Sequence, residues 1–218
     1  MKLPKAIFFD WDGTLADSYA FLEGAHNHVR MQLGKPSFRE NEFQQYFGQP
    51  REILYKAFYA PHEEEAKKMF EVYVREHHLK LPALPGAEDL LKTLHAAGIP
   101  CGVVSNKKPE FIETEIRNFG WEAYFVASVG AGEASADKPS PAPLRLAVER
   151  AGLAGLEPDD IWFVGDTDND LMCARDYGCP GILLGHMPNT PQLVAEFAPF
   201  LVVKDCHELD EFMLQCSK

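Results

Sequence analysis

The sequence predicts an α/β protein built on a doubly wound parallel sheet, with an all-helical segment inserted near the N-terminus. Six short apolar runs typical of strands alternate with helical patterns along the chain. The first two of these runs are separated by a helical stretch several times longer than the dozen or so residues that a simple crossover needs. A length of 218 residues with 46% hydrophobic and 25% charged residues suits one substantial core carrying a smaller insertion.

The first apolar run, Ala6 to Phe9, is typical of a strand buried on both faces. It ends in Asp10 and Asp12, two carboxylates one residue apart, followed by Gly13, which allows a sharp turn. Carboxylates this close repel each other, and a bound cation is the usual remedy. The alternative is a plain strand that ends in an ordinary Asp-Gly turn.

The stretch from Ala16 to about Pro82 shows no convincing strand and is expected to contain four helices. Their expected spans are Asp17 or Ser18 to Met31, Arg39 to Tyr46, Glu52 to Ala60, and Glu63 to Leu79. The pairs His26/His28 and His77/His78 have no partners at metal-ligand spacing and are expected at the surface. The predicted division is therefore a core of residues 1–15 and 83–218 and a helical cap of residues 16–82.

From Ala87 onward, helices and strands alternate. The expected helices are Ala87 to Ala97, Glu110 to Phe119, Pro141 to Ala151, Leu171 to Tyr177, Pro191 to Phe197 and Glu208 to Leu214. The expected strands are Ile99 to Ser105, Tyr124 to Val129, Ile161 to Val164, Ile182 to Leu184 and Phe200 to Val203. This alternation completes the parallel sheet.

Charge and cysteine usage narrow the partners and the compartment. A net charge of −12 without any basic run argues against a nucleic-acid or anionic-membrane partner. Five cysteines without a CxxC pair indicate reduced thiols. Because the chain leads directly into its first strand and has no apolar run of membrane-spanning length, we expect a cytoplasmic protein.

Polar residues follow four of the predicted strands, and the carboxyl ends of parallel strands share one edge of a sheet. The residues gathered there are Asp10 and Asp12, then Ser105 and Asn106, then Lys138 in a later loop, and finally Asp166 through Asp170. Singly, each has a plain structural alternative: a solvated lysine, a turn or helix cap, an acidic loop. Together, they suit magnesium-assisted chemistry on a phosphate group.

These four motifs resemble those of the haloacid dehalogenase-like superfamily, in particular its phosphoglycolate phosphatase-like branch. They are Asp10-Trp11-Asp12-Gly13-Thr14, Ser105-Asn106, Lys138-Pro139, and Gly165-Asp166 through Asp170, and the resemblance covers nearly the whole chain. It implies a Rossmann-like core with a cap domain and a magnesium-dependent phosphatase acting on a small phosphorylated metabolite.

The resemblance also implies a role for each residue. Asp10 would attack phosphorus and form an aspartyl-phosphate, and Asp12 would act as acid and then base. Mg²⁺ would be bound by Asp10, the backbone carbonyl of Asp12, and Asp166, with Asp170 supporting these ligands. Lys138 would be catalytic, offsetting charge near the nucleophile and the phosphoryl oxygens, and Ser105 and Asn106 would donate hydrogen bonds to the phosphoryl group. Apart from the resemblance, the neighbouring Thr14 and Thr167 are expected at most to support motif carboxylates by hydrogen bonds.

Departures from sister families favour a phosphatase. Hydrolytic dehalogenases lack an acid/base residue at the position of Asp12, and phosphonoacetaldehyde hydrolases have alanine there. The stretch Phe47-Gly48-Gln49-Pro50-Arg51 resembles the family's cap specificity segment. Arg51 is a candidate for contacting a substrate carboxylate or second phosphate, and a surface arginine at the start of a helix is the alternative. Phosphoglycolate and sugar phosphates are the expected substrates. A phosphomutase, a nucleotidase, a pyrophosphatase and a non-catalytic binding protein on the same fold remain alternatives.

Overall fold

The computed structural model describes residues 3–40, 42–46 and 51–216. Its sheet contains six strands, all parallel, in the order β3-β2-β1-β4-β5-β6. The strands are β1 (Ala6–Phe9), β2 (Cys101–Val104), β3 (Phe125–Val129), β4 (Ile161–Gly165), β5 (Gly181–Leu184) and β6 (Leu201–Val203). The predicted α/β class and parallel sheet are confirmed.

The strand order reverses between β1 and β4, which are hydrogen-bonded neighbours in the middle of the sheet. From β1 the chain first builds outward through β2 and β3, and it then returns to the other side of β1 for β4, β5 and β6. Ligands of open α/β sheets bind at such a reversal, beyond the carboxyl ends of the strands. This topology therefore singles out the residues that directly follow β1 and β4.

Helices cover both faces of the sheet, as two neighbouring residues of β4 show, since their side chains point to opposite sides. On β4, Phe163 belongs to a buried cluster with Leu144 and Cys173 from two core helices. The adjacent Trp162 lies instead near Phe212 of the last helix, with ring centroids 6.2 Å apart. The helices of the core are α4 (Ala87–Ala96), α5 (Pro109–Phe119), α6 (Ala142–Arg150), α7 (Asp168–Tyr177), α8 (Thr190–Phe197) and α9 (Cys206–Cys216).

The chain divides into two compact units, one of Met1–Asp17 with Pro82–Lys218 and one of Ser18–Leu81. In its described residues, the second unit contains helices and turns only. Its α-helices are α1 (Tyr19–Gln32), α2 (Arg51–Tyr59) and α3 (Glu63–His77). The helix predicted over Arg39 to Tyr46 is wrong, since the described part of that stretch forms only a 3₁₀ turn at Phe43–Tyr46.

His26 and His78 are buried, which contradicts the expectation that the paired histidines lie at the surface. The Nδ1 of His26 lies 2.6 Å from the hydroxyl of Tyr59. The rings of Phe43, Phe58 and Phe70 surround His26, with centroids 4.5 to 5.3 Å away. His26 is therefore a hydrogen-bonded core residue of the helical unit.

Among the described helices, none is both long and apolar enough to cross a bilayer.

Candidate active site

A buried lysine joins two carboxylates at the carboxyl edge of the sheet. Lys138 Nζ lies 2.6 Å from Asp10 Oδ1 and 2.7 Å from Asp170 Oδ1. Asp10 directly follows β1, Asp170 lies in the first turn of α7, and Lys138 comes from the loop between β3 and α6. All three side chains are less than 10% exposed. The structure thus places Lys138 beside Asp10 and Asp170, which lie 128 and 32 positions away along the chain.

Asp166 follows β4 and is 1% exposed. The Thr14 hydroxyl donates a hydrogen bond of 3.2 Å to Asp166 Oδ1. Asp170 Oδ2 accepts from the backbone N–H of Asp166 at 3.2 Å and from the Thr167 hydroxyl at 2.6 Å. The predicted support by Thr14 and Thr167 is confirmed. Since the oxygens of Asp170 are engaged by Lys138 and by this turn, Asp170 fixes its neighbours in place.

Gly165 allows this close arrangement of the turn. A Cβ at position 165 would overlap the Cβ and carboxyl group of Asp170. Glycine therefore leaves the space into which the Asp170 side chain fits. Gly165 is the last residue of β4 and precedes Asp166, so the end of the strand packs directly against the turn that carries Asp166 and Asp170.

Asn106 holds the backbone of Lys138. Its side-chain amide donates to the Lys138 carbonyl and accepts from the Lys138 N–H, both at 2.9 Å. These two hydrogen bonds hold the Lys138 backbone, from which the lysine side chain extends. Asn106 therefore positions Lys138. Ser105 is 4% exposed at the end of β2, and its hydroxyl accepts from the N–H of Lys107 at 3.3 Å.

Asp12 belongs to a second charged group, whose other members, Lys107 and Glu115, were not among the predicted site residues. Lys107 Nζ lies 2.9 Å from Asp12 Oδ1 and 2.7 Å from Glu115 Oε2. The indole N–H of Trp11 also donates to Glu115 Oε2, at 2.6 Å. Two signals in the sequence point to this group: Lys107 directly follows the Ser105-Asn106 motif, and Glu115 lies among the apolar positions Phe111, Ile112, Ile116 and Phe119 of a helical pattern.

Burial shapes the electrostatics of both groups. It raises the pKa of Asp10 to about 7, with the neighbouring Asp170 adding to the rise and Lys138 opposing it. Burial alone would lower the pKa of Lys138, but Asp10 and Asp170 outweigh it and raise the pKa above its ordinary value. Burial also raises the pKa of Glu115 to about 7, against the attraction of Lys107.

The carboxylates at this edge fit a divalent cation. Oxygens of Asp10, Asp166 and Asp170 lie within 4.8 Å of one another, and all three residues are buried. Lys138 contacts two of these carboxylates, Asp10 and Asp170, and His186 Nε2 lies 3.9 Å from the third, Asp166. When its three carboxyl groups are ionised, the cluster carries more negative charge than Lys138 neutralises. Hard carboxylate oxygens are the ligands that Mg²⁺ prefers. The donor set therefore fits the predicted Mg²⁺.

The predicted site residues fall into two sets. The structure places Asp10, Asp12, Ser105, Asn106, Lys138, Asp166 and Asp170 at the carboxyl edge of the sheet. The side chain of Arg51 lies outside the described residues, as does the segment 47–50 that precedes it. Substrate contact by Arg51 stays a prediction.

Comparison with known proteins identifies the family. The family model described as haloacid dehalogenase-like hydrolase matches residues 7–184, which include all four motifs. The chain belongs to the haloacid dehalogenase-like hydrolases. The predicted family and the predicted hydrolase class are thereby confirmed.

Individual relatives of this hydrolase point to one branch of the family. The chain is 29% identical over 220 residues to phosphoglycolate phosphatase 1 of Pseudomonas aeruginosa, covering 95% of this chain and 79% of that protein. It is 28% identical over 222 residues to a phosphoglycolate phosphatase of Vibrio vulnificus, covering 96% of each. A crystal structure from Haemophilus somnus, described as a "predicted phosphoglycolate phosphatase", is 26% identical and superimposes with a TM-score of 0.84 over 100% of both chains.

Proposed function

We propose that this haloacid dehalogenase-like hydrolase is a magnesium-dependent phosphatase that hydrolyses a small phosphomonoester through an aspartyl-phosphate. The observation that carries the proposal is the buried cluster of Asp10, Asp166, Asp170 and Lys138 at the strand-order reversal. A cluster of carboxylates with one ammonium group suits a cation and a phosphoryl group together. The phosphatase relatives support the same reaction class.

Asp10 is the proposed nucleophile. A carboxylate oxygen of Asp10 forms a bond to phosphorus while the bond between phosphorus and the leaving oxygen breaks, with its electron pair going to that oxygen. Asp12 gives its proton to the leaving oxygen, which departs as an alcohol. Asp12 then takes a proton from water as that water attacks phosphorus, which releases phosphate and restores Asp10.

The other residues orient and bind. Asp10, Asp166 and the backbone carbonyl of Asp12 would hold Mg²⁺, which when bound supplies positive charge to the phosphoryl oxygens. Lys138 lies 2.6 Å from Asp10 and adds a second positive charge beside the nucleophile. The Ser105 hydroxyl and the Asn106 amide lie at the adjacent strand end and would donate to the phosphoryl group.

The proposed substrates are phosphoglycolate-like esters or small sugar phosphates. The names of the relatives favour phosphoglycolate-like esters.

The proposed domain division keeps residues 1–15 and 83–218 as the catalytic core and residues 16–82 as a cap, which the compact units support. Arg51 in the helical unit is a candidate for binding a substrate carboxylate. Five free thiols support a cytoplasmic location.

A substrate panel tests the reaction class. We expect the purified protein to release phosphate from p-nitrophenyl phosphate and from at least one of phosphoglycolate and small sugar phosphates, only when Mg²⁺ is present. We also expect Arg51→Ala to raise KM for the carboxylate-bearing ester more than for the sugar phosphates, because it removes one ionic contact. Phosphate release is measured colorimetrically. A protein inactive on the whole panel with Mg²⁺ would contradict the proposal.

Metal binding can be measured separately from turnover. We expect saturating Mg²⁺ to raise the free energy of unfolding by about 3 kcal/mol at one hundred times its Kd, since it binds the folded state only. Asp166→Asn should abolish most of that stabilisation. Thermal unfolding with and without Mg²⁺ provides the measurement, and Asp159→Asn at the exposed amino end of β4 is the matched control. Equal stabilisation of wild type and Asp166→Asn would remove Asp166 from the site.

A further inference from the structure

Lys107 joins the proposed acid/base residue to the interior of the protein. Its ammonium group lies 2.9 Å from Asp12 Oδ1 and 2.7 Å from Glu115 Oε2, so it bridges the two carboxylates. The Asp12 side chain is 28% exposed, whereas Lys107 is 12% and Glu115 is 1% exposed. The exposure of the three side chains therefore decreases from Asp12, through Lys107, to Glu115.

The buried end of this bridge is rigidly packed. Glu115 lies on α5 and accepts the indole N–H of Trp11 at 2.6 Å. The Trp11 ring is fully buried, with ring centroids of Trp121 and Phe119 about 6 Å away. Because Trp11 lies between Asp10 and Asp12 in the chain, one backbone segment supplies both the anchor and the group that is held.

We infer that Lys107, anchored by Glu115 and Trp11, is a positioning residue that holds the carboxyl group of Asp12 in place for proton transfer. The inference rests on the proposed phosphatase reaction and deepens it by identifying what orients the acid. A half-exposed aspartate could otherwise sample several rotamers, and each unproductive rotamer lowers the rate of proton transfer. Lys107 fixes one of them through a short charge-assisted contact.

Because of Glu115, Lys107 can orient Asp12 without adding much net positive charge beside the Asp12 carboxyl group. An ammonium group alone beside Asp12 would add a full positive charge to a half-exposed part of the site. Glu115 balances that charge from the opposite side of Lys107, at 2.7 Å. The arrangement thus orients Asp12 mainly through geometry, whereas Lys138 acts on the neighbouring Asp10 as a direct counter-charge.

The test uses the leaving group, because only a poor leaving group needs a proton from Asp12. We compare kcat/KM for an alkyl phosphate, whose alcohol leaves poorly, with kcat/KM for p-nitrophenyl phosphate, whose phenolate leaves readily, in the full-length enzyme with Mg²⁺. Lys107→Met is expected to lower the value for the alkyl ester by about 100-fold and that for the aryl ester by less than about 5-fold. A merely structural residue, or one that binds the phosphoryl group, would lower both values equally.

A second variant guards against a folding defect. The double variant Lys107→Met with Glu115→Gln removes both charges and keeps an oxygen that can accept the Trp11 N–H. It is expected to show the same selective loss on the alkyl ester, with thermal unfolding close to that of the wild type. Lys92→Met is the control, because it removes one charge from a surface pair with Glu88 and should leave both values unchanged.

The outcomes separate the inference from the reaction on which it rests. A selective loss on the alkyl ester in both variants supports the inference. An equal loss on both esters, or no loss on either, overturns it while leaving the phosphatase reaction intact. A wild-type enzyme inactive on both esters overturns the phosphatase reaction and the inference with it.

Discussion

Asp10→Asn is expected to lower kcat by at least about 10⁴-fold on every substrate that the wild-type enzyme hydrolyses, because the amide cannot attack phosphorus. The change preserves the size of the side chain and leaves an oxygen that can accept from Lys138. The variant should therefore fold. Steady-state phosphate release, with thermal unfolding in parallel, measures both properties.

Asp159→Asn is the matched control for this substitution. It makes the same chemical change at an exposed position before β4, at the opposite edge of the sheet from Asp10. Its kcat should stay within about two-fold of wild type, since exposed substitutions seldom perturb a distant site. If Asp10→Asn turned over substrate at the wild-type rate, Asp10 would not be the nucleophile.

Lys138→Met should give the largest change in stability. We expect the free energy of unfolding, measured by urea denaturation at pH 8 without divalent cations, to fall by about 3–5 kcal/mol. The reason is that Asp10 and Asp170 would lose their shared cation while remaining buried. Their burial makes the uncompensated charges costly. Phosphatase activity should fall as well, because the charge beside the nucleophile is lost.

A double variant attributes this loss to the buried charges. Adding Asp170→Asn to Lys138→Met removes one of the stranded carboxylates and should recover part of the lost free energy, a coupling of about 0.5–3 kcal/mol. Lys204→Met, at a lysine that is 75% exposed, should change stability by less than about 0.5 kcal/mol. Strictly additive losses in the double variant would mean that Lys138 does not compensate Asp170.

The core was predictable because each of its strands carries a strong local signal. β1 is a run of four apolar residues that ends at a carboxylate, and its bounds match the prediction. The helical unit gave weaker signals. A 3₁₀ turn replaces one expected helix at Phe43–Tyr46. His26 is buried because tertiary packing supplies a hydrogen-bond partner from Tyr59, which is 33 residues away.

The sequence allowed most of the predicted site residues to be placed at one edge of the sheet, because they follow strands closely or lie in the loop expected at the same edge. Contacts made through helix faces were harder to predict. Glu115 lies on α5 at an apolar position of its helical pattern, and only the fold shows that Trp11 and Lys107 lie beside it. Asn106 was predicted to bind a phosphoryl group, whereas its two hydrogen bonds to Lys138 reveal a positioning role that spacing alone does not indicate.

The hydrogen bonds between Asn106 and Lys138 also bear on how this fold can diversify. They tie the lysine backbone to the residue just after β2, so Lys138 is held by a contact other than the loop between β3 and Lys138. We therefore expect substitutions in that loop, residues 130–137, to displace the lysine less than they would without this attachment. Because Asn106 holds Lys138 directly, sequence changes in the loop should affect the position of the lysine less.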